Sequence, residues 1–362
     1  MMKSPKIRFK GFDGDWEQRK LGDVAQEFKS GNSLKADEID ITGDYPVYGG
    51  NGLRGYTSTY NHDGEYALIG RQGALCGNMN YSAGKAYFTE HAVVVKADEN
   101  NDTRFLYYML DTMNLGQYSD QSAQPGLAVN KLVKLENSFP KKEEQQQIGA
   151  YFRSLDHLIT LHQKKSEQLT ILKKYMMQKM FPQNGSDKPE IRFDGFTDDW
   201  EQRKLSDVVD VRSGRDYKHL EEGDIPVYGT GGYMLSVSQA LSDDEDAIGI
   251  GRKGTIDNPY ILRAPFWTVD TLFYAVPREK HDLNFVYGIF QNINWKAKDE
   301  STGVPSLSKA TINAVSTMTP DYEEQRLIGE YFSNLDHLIT LHQQKCDELR
   351  NAKKFMLQNM FI

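Results

Sequence analysis

The stretch Leu155–Gln163, LDHLITLHQ, occurs a second time without change at Leu335–Gln343. The similarity continues on both sides of this stretch. Residues 141–181 return at 321–361 with 24 of 41 positions identical and no gap. A period of about 180 residues is too long for a solenoid repeat. The sequence therefore indicates a tandem duplication of a whole domain together with an added segment.

The start of the repeat is also similar in both copies, but the middle is not. Residues 7–24 return at 191–208 with 14 of 18 positions identical. Beyond that point only short islands match: Pro46–Gly49 with Pro226–Gly229, Gly70–Gly73 with Gly251–Gly254, and Pro125 with Pro305. Similar ends around different middles predict that the ends perform one task twice and the middles perform two different tasks. The alternative is a recent duplication that is decaying at random.

The end segments have the pattern of long helices. Residues 143–180 contain one glycine, Gly149, and no proline, and their apolar residues recur at a spacing of three and four. Pro140 precedes this run, and Phe181-Pro182 ends it. At 1.5 Å per residue, such a helix would be about 55–60 Å long. Residues 323–360 carry the same pattern.

A long helix with a single apolar stripe needs a partner, so we expect the two helices to pack on each other as an antiparallel coiled coil. The alternative is that each helix lies on its own domain. We interpret the two histidines on the stripe as polar residues that set the register, and we expect no metal site. The residues expected at this seam or at a partner surface are Leu155, Leu158, Ile159, His162, Leu169, Leu335, Leu338, Ile339, His342 and Leu349.

The middle segments have a mixed pattern. Runs of β-forming residues occur at Ala92–Val95 and Leu272–Val276, and short amphipathic helices are expected at Arg104–Met113 and Phe285–Ile293. The polar stretch Phe181–Asp187 is the natural linker. The predicted fold is α+β, with two mixed α/β domains in tandem repeat and two long helices. The predicted segments are domain 1 at 1–140, helix 1 at 141–182, domain 2 at 183–320 and helix 2 at 321–362.

The composition is ordinary for a globular protein, with 362 residues and a net charge of −8. This charge argues against a chain that coats nucleic acid by bulk attraction, but it permits local basic surfaces. The sequence has no apolar run of 18 residues and no apolar segment of the signal-peptide kind near its start. Its two cysteines, Cys76 and Cys346, cannot form a disulfide framework, so we expect a cytoplasmic location and no membrane partner.

Catalytic signatures are missing or incomplete. Asp257-Asn258-Pro259-Tyr260 resembles the motif of amino-methyltransferases with one proline replaced, and the first copy has no counterpart. Gly249-Ile250-Gly251 is too short to indicate a cofactor loop, and the acidic run at 243–246 is typical of a solvated loop. The sequence contains no phosphate-binding loop, zinc-ligand spacing or nucleophile elbow. We therefore expect no enzyme activity and no cofactor in this chain.

The Gly-Arg-x-Gly islands point to a ligand. Each follows a short apolar run, so a strand would end in a glycine-flanked turn that projects one arginine. Arginine offers a planar fork for phosphate or for guanine O6 and N7. The alternative is a turn whose arginine pairs with a nearby carboxylate. The candidate DNA-binding residues around these turns are Tyr48, Asn51, Arg54, Arg71, Gln72, Lys85, Arg215, Lys218, Tyr228, Arg252, Lys253 and Arg263.

Short motifs, most of them present in both copies, accompany this layout. They are Arg8-Phe9, Gly11-Phe12, Trp16 and Leu21-Gly22-Asp23-Val24 with Arg192-Phe193, Trp200 and Leu205-Ser206-Asp207-Val208; Tyr45-Pro46-Val47-Tyr48-Gly49 with Ile225-Pro226-Val227-Tyr228-Gly229; Pro305-Ser306-Leu307-Ser308; and Pro140, Glu143-Glu144-Gln145 and Ile148 with Pro320, Glu323-Glu324-Gln325 and Ile328. The layout and these motifs resemble those of type I restriction–modification specificity subunits, in which two variable target recognition domains alternate with two similar helices. The first copy departs from the family pattern at Pro125-Gly126-Leu127-Ala128, where serine is usual.

The resemblance implies a role without catalysis. Such subunits bind double-stranded DNA and join two methyltransferase subunits, which carry the S-adenosylmethionine site and methylate adenine N6. Restriction subunits driven by ATP, with Mg, then join that complex. Each variable domain would read one half-site of an asymmetric target, and the paired helices would set the spacer between the half-sites. Two other hypotheses stay open: a pure assembly scaffold that does not touch DNA, and a stand-alone enzyme of unfamiliar type.

Overall fold

The computed structural model describes residues 4–119, 126–183 and 185–362. The chain divides into two compact units: unit 1 comprises Met1–His162 and Gln344–Ile362, and unit 2 comprises Gln163–Gln343. The two long helices are α3 (Lys142–Lys179) and α7 (Tyr322–Met360). One part of each helix belongs to unit 1 and the other part to unit 2. The four predicted segments remain a prediction. Pro125, which the sequence matches with Pro305, lies outside the described residues.

Unit 1 combines β-strands with short helices. Its other helices are α1 (Thr103–Thr112) and α2 (Val129–Leu132), with 3-10 turns at Leu21–Val24, Ala36–Glu38 and Leu115–Tyr118. Its strands in the described residues are β1 Glu17–Lys20, β2 Ala25–Ser30, β3 Tyr45–Gly49, β4 Gly52–Thr57, β5 His62–Gly70, β6 Met79–Phe88, β7 Ala92–Ala97 and β8 Glu136–Phe139.

The main sheet of unit 1 has the strand order β2-β7-β5-β6-β3-β4, while β1 pairs with β8. Neighbouring strands are antiparallel except β3 and β6, which are parallel. The predicted strand at Ala92–Val95 is β7. Residues 92–95 of this strand are all apolar because both faces are buried there: Val93 and Val95 pack in the same core as α1, and Val94 packs in a second cluster with Phe88.

Unit 2 repeats this plan with a broken sheet. Its other helices are α4 (Leu205–Val208), α5 (Leu283–Asn292) and α6 (Lys309–Ala314), with a 3-10 turn at Trp295–Lys298. Its strands are β9 Glu201–Lys204, β10 Val209–Ser213, β11 Glu222–Gly229, β12 Gly232–Val237, β13 Ala247–Gly251, β14 Tyr260–Leu262, β15 Trp267–Thr268, β16 Leu272–Pro277 and β17 Ser316–Thr319.

The sheets of unit 2 have the orders β10-β16-β13-β14, β12-β11-β15 and β17-β9. In unit 1 the long strand β6 pairs with both β5 and β3, which joins these parts into one sheet. In unit 2 the same role is divided between β14 and β15, and Pro265 lies between them. Proline has no backbone N–H to donate to a neighbouring strand, and Pro265 lies at the point where the strand is interrupted. The predicted strand at Leu272–Val276 is β16.

The long helices pack antiparallel within each unit, so the predicted coiled coil is confirmed. In unit 1, Lys353 Nζ lies 2.6 Å from Asp156 Oδ1, and Cys346 Sγ lies 3.5 Å from the carbonyl oxygen of Ile159. Because the α7 number falls as the α3 number rises, the two helices run in opposite directions. In unit 2 the equivalent ion pair joins Lys173 Nζ to Asp336 at 2.7 Å.

Most of the expected seam residues face the interior, but two do not. Leu155, Ile159, Leu169 and Leu335 are buried, and His162, Ile339, His342 and Leu349 are half-buried. Leu158 and Leu338 were expected at the seam or at a partner surface; they are 42% and 40% exposed, so a partner surface stays the prediction for them and they lie outside the seam. The reason is the helical repeat of 3.6 residues, which places Leu158 about 100° around the helix from Ile159.

The two similar ends of each repeat meet in a buried ion pair. In unit 1, Arg8 Nε and Nη2 donate to the two carboxylate oxygens of Glu144 at 2.6 and 2.7 Å. Arg192 and Glu324 form the same pair in unit 2 at the same distances. The hydrogen bond to Glu144 raises the pKa of Arg8 above its ordinary value. Because Arg8 lies near the start of the repeat and Glu144 at the start of α3, this pair fixes the first turn of the helix to its unit.

A buried glutamine completes each helix start. Gln145 Nε2 donates to the carbonyl oxygen of Pro140, and its Oε1 accepts from the backbone N–H of Asp102. Asp102 is the N-cap of α1, because its side chain accepts from the backbone N–H of Phe105 at 2.8 Å. Gln325, Pro320, Asp282 and Phe285 repeat this arrangement in unit 2. The predicted helices at Arg104–Met113 and Phe285–Ile293 are thus α1 and α5, which these contacts join to the long helices.

Two features are absent from the described ranges. No helix there is long and apolar enough to cross a membrane. Nor does that part of the chain bring three or more metal-ligating side chains together.

Candidate nucleic-acid interface

Both Gly-Arg-x-Gly turns are held by the same main-chain hydrogen bonds. In unit 1 the turn follows β5. The backbone N–H of Arg71 donates to the carbonyl of His91, and the carbonyl of Arg71 accepts from Leu127, both at 2.9 Å. In unit 2 the turn follows β13, and Arg252 makes the same contacts with Thr271 and Leu307 at 2.8 and 2.9 Å. Each turn is thus fixed between two other segments of its unit.

The two glycines of each turn have different physical roles. A Cβ at Gly70 would lie 2.4 Å from the carbonyl oxygen of Gly50, and one at Gly251 would lie 1.9 Å from that of Thr255. The first glycine therefore makes room for the protein's own backbone. Gly73 and Gly254 have φ values of +83° and +96° with open space around them, so the last glycine is needed for the left-handed backbone.

Neither loop arginine forms a salt bridge with a carboxylate among the described residues. Arg71 Nη1 lies 3.4 Å from the carbonyl oxygen of Glu90, and Arg252 Nη1 lies 3.4 Å from that of Asp270. Within the described ranges neither guanidinium forms an ion pair, which speaks against the alternative of a turn held by a salt bridge. Arg71 is half-buried and Arg252 is exposed, so each retains donors that can reach a ligand.

In unit 1 the turn borders a polar cavity of about 280 Å³. Three predicted residues line it, namely Asn51, Arg54 and Gln72, together with Gly50 and His91. His91 Nδ1 lies 3.1 Å from Gln72 Oε1. His91 was not among the residues predicted from sequence. Nothing in the sequence distinguishes it, because its place beside Gln72 depends on how the chain returns between β6 and β7.

The other predicted residues are dispersed. The Tyr48 ring packs on Phe88, and the Tyr228 ring contacts Tyr233 and Tyr260. Lys85 lies over the ring of Tyr60 at 4.6 Å, and Arg263 pairs with Asp246 at 2.6 Å. Arg215 and Lys218 are exposed near the start of β11 in sequence. None of these residues lines the polar cavity of unit 1, and their role in DNA binding remains a prediction.

The methyltransferase-like motif of unit 2 is used for internal contacts. The hydroxyl of Tyr260 donates to the carbonyl oxygen of Gly229 at 2.6 Å, and burial raises the pKa of this tyrosine well above its ordinary value. Asp257 pairs with Lys296 at 2.6 Å, and this hydrogen bond lowers the pKa of the carboxyl group. A structural role therefore accounts for Asp257 and Tyr260 of this stretch.

Each unit also exposes apolar side chains on its helices. In unit 1 these are Leu158 and Leu161 of α3 and Phe355 of α7. The equivalent positions of unit 2 are Leu338 and Leu341 of α7 and Tyr175 of α3, and they are exposed too. Unit 2 also exposes Ile171 and Leu172 of α3, which have no large apolar counterpart in unit 1 and are not part of the repeated set. We call these two sets the helix patches. Exposed apolar side chains at equivalent positions are typical of a surface that contacts another protein.

Comparisons with known proteins agree on one family. A family model described as the type I restriction modification DNA specificity domain matches residues 13–170 and 197–351. The EcoprrI specificity subunit of Escherichia coli is 42% identical over 156 residues, which are 42% of this chain and 39% of that protein. The MjaVIII specificity subunit of Methanocaldococcus jannaschii is 22% identical over 391 aligned residues, covering 94% of this chain and 90% of that one.

The fold is also known from a solved structure. The crystal structure of the type I restriction–modification S subunit from M. genitalium matches with a TM-score of 0.80 and 18% identity, covering 99% of both chains. At this identity the likeness concerns the fold alone, whereas the family model matches the sequence in both copies of the repeat. The repeated domains, the paired helices and these two matches lead to one conclusion: the chain belongs to the type I restriction–modification DNA specificity family.

Proposed function

We propose that this chain is the sequence-specific DNA-binding subunit of a type I restriction–modification enzyme, and that each unit reads one half-site of an asymmetric two-part target. The observation that carries the proposal is the repeated loop scaffold. Arg71 and Arg252 are held by the same main-chain hydrogen bonds, while the exposed side chains beside them, Gln72 and Lys253, differ. A shared scaffold that presents different side chains suits two sites that read two different sequences.

In this proposal the catalytic work belongs to partner subunits. Two methyltransferase subunits would bind S-adenosylmethionine and methylate adenine N6, and restriction subunits would use ATP and Mg. This chain would supply no catalytic residue and would join these subunits through α3 and α7. The helix patches support this part of the proposal, because two equivalent surfaces suit two copies of one partner. Partner subunits would also supply phosphate contacts, which a chain with a net charge of −8 needs.

The loop arginines provide the direct test of DNA binding. In complex with the partner subunits, Arg71→Ala and Arg252→Ala are each expected to weaken binding to cognate DNA and leave assembly intact. Because both units share the arginine although their half-sites differ, we expect a phosphate contact, whose loss weakens binding uniformly and reduces the salt slope by about 1. A base contact would instead relax discrimination at one position by about 1–3 kcal/mol. Salt titrations on cognate and mismatched duplexes distinguish these outcomes.

Arg203→Ala serves as the control for these variants, because Arg203 is exposed on β9 and paired with Glu201. It is expected to bind DNA like the parent. If both loop variants also bind cognate DNA like the parent at physiological salt, the loops are structural turns. The chain would then be better explained as an assembly scaffold that does not itself read DNA.

Exchanging one domain tests the division of labour. Replacing residues 25–140 with the corresponding segment of another specificity subunit is expected to change one half of the methylated motif and leave the other half unchanged. The foreign segment must present a backbone N–H at the position of Asp102, because Gln145 at the start of α3 accepts a hydrogen bond from it. Genome-wide mapping of methylated adenines measures the result. Replacement of residues 209–320 is the matched experiment, and a change in both halves after either exchange would contradict independent reading.

A further inference from the structure

We propose that Gln72, oriented by His91, reads an adenine in the half-site of unit 1, and that Lys253 reads a guanine from the matching position of unit 2. This inference rests on the proposed DNA-reading function and assigns base contacts within it. Gln72 and Lys253 follow the shared arginine directly, and each forms an isolated β-bridge to the segment before the next helix, at Gly126 and Ser306. The two side chains therefore occupy the same place on the same scaffold.

The separation of shared from different residues gives the first argument. Residues common to both units cannot tell two different half-sites apart, so the loop arginines suit the sugar–phosphate backbone. Two residues differ between the units. One is the exposed residue after each arginine, and the other is the residue after Glu90 in unit 1 and after Asp270 in unit 2. That residue is His91 in unit 1 and Thr271 in unit 2, and its carbonyl receives the same hydrogen bond from the loop. Both differing residues of each unit, Gln72 and His91 in unit 1 and Lys253 and Thr271 in unit 2, are thus held by main-chain contacts of the shared scaffold.

The geometry in unit 1 gives the second argument. Gln72 Oε1 can only accept a hydrogen bond, so the contact of 3.1 Å requires His91 to donate from Nδ1. This hydrogen bond orients the carboxamide and occupies one of the two lone pairs of Oε1. The group still offers an acceptor at Oε1 and donors at Nε2, which is the pattern complementary to N6 and N7 of adenine in the major groove. Guanine presents two acceptors there and would face Oε1 unfavourably.

The surroundings of Gln72 fit a base edge. The side chain is exposed, and the cavity beside it is lined by polar side chains and glycine, with no large apolar residue. In unit 2 the exposed ammonium of Lys253 forms no ion pair with the described residues. An ammonium has donors only, which matches the two acceptors O6 and N7 of guanine. Thr271 has no ring nitrogen with which to orient a carboxamide. Unit 2 needs no such group, because Lys253 carries an ammonium at this position.

The test uses the complex with the methyltransferase subunits, after the parent motif has been mapped from methylated adenines. Gln72→Lys is expected to change the preferred base from adenine to guanine at one position in one half of the motif, with a loss of roughly 5- to 150-fold on the parent duplex. Lys253→Gln is expected to change one position in the other half. Gln26→Lys is the charge-matched control, because Gln26 is an exposed glutamine on β2 outside the cavity, and it should keep the parent motif.

Two further variants separate base reading from general structural damage. Gln72→Glu preserves the shape of the side chain but removes the donor to adenine N7, so it should lose discrimination at the same position. His91→Ala should reduce discrimination there without changing affinity for unrelated DNA, and His91→Asn, which offers a side-chain N–H donor near the position of Nδ1, should restore part of it.

The outcomes for the inference and for the proposed function differ. If the Gln72 variants assemble and keep the parent discrimination while Arg71→Ala weakens binding, the base assignment is wrong and the DNA-reading function stands. If Arg71→Ala, Arg252→Ala and all Gln72 and Lys253 variants bind and methylate like the parent, both are wrong.

Discussion

Replacing Arg8 with alanine is expected to destabilise unit 1 by about 3 kcal/mol, because it leaves a buried carboxylate without its partner. Glu144 is 1% exposed, and both of its oxygens accept from Arg8. Removing one partner of such a pair typically costs about 3–5 kcal/mol. We expect the lower end because the Arg8 side chain is itself 15% exposed, so water can reach part of the vacated space. Denaturant unfolding of the full chain measures the change.

Two further variants define the cause of that loss. Arg153→Ala, an exposed arginine on α3, should change the free energy of unfolding by less than about 0.5 kcal/mol. Replacing Arg8 and Glu144 together with methionine should recover much of the stability, since an apolar pair leaves no unpaired charge. Arg192→Ala should have the same effect on unit 2 through Glu324. A loss below about 1 kcal/mol for both arginine variants would show that the pair does not hold the helix start.

Placing aspartate at Leu158 and Leu338 together is expected to abolish assembly with the methyltransferase subunits while the chain itself stays folded. Both leucines are exposed on their helices, so a charge there costs little in the free subunit. The same charge would be buried without a partner in an interface, which costs several kcal/mol. Size-exclusion chromatography of the co-expressed complex measures assembly, and circular dichroism of the free subunit measures its fold.

The repeat supplies a matched control for this double variant. Thr160 and Thr340 are equivalent, exposed, and two residues beyond the leucines, so they point to another side of each helix. Thr160→Asp with Thr340→Asp should leave assembly intact. Normal assembly of the leucine variant would exclude the helix patches as the partner surface, whereas unfolding of the free subunit would show that the leucines serve the fold of this chain.

The sequence predicted the helices well because their signal is local. The apolar spacing, Pro140 and Phe181-Pro182 placed α3 within one residue of its observed ends, and α7 followed from the repeat. The pattern did not define which face of each helix lies at the seam, since a spacing of three and four fits two neighbouring stripes of one helix. Leu158 belongs to the outer stripe and Ile159 to the inner one. Only the packing partner distinguishes these stripes, and periodicity does not contain that information.

The candidate site was predicted in part for a similar reason. The glycine-flanked arginines could be found because a turn has a local signature, and the glycines at positions 49, 50 and 52 beside Asn51 are typical of a turn as well. His91 could not be found, since its contact with Gln72 depends on sheet register between segments 19 residues apart. The ion pair of Arg8 and Glu144 could have been inferred: both residues lie in the near-identical ends and recur as Arg192 and Glu324, and opposite charges retained in both copies suggest a contact.

The composition of unit 1 from two distant chain segments has a consequence for synthesis on the ribosome. Its core contains Phe361, whose ring centroid lies 5.4 Å from that of Phe105 and 5.8 Å from that of Phe152. Residues 344–362 are made only after the whole of unit 2, which is a continuous stretch. The segment translated first therefore completes its core last, after a delay of roughly 10–40 s at about 5–20 residues per second. During that interval the core residues of unit 1 that pack against residues 344–362, among them Phe105 and Phe152, lack this cover.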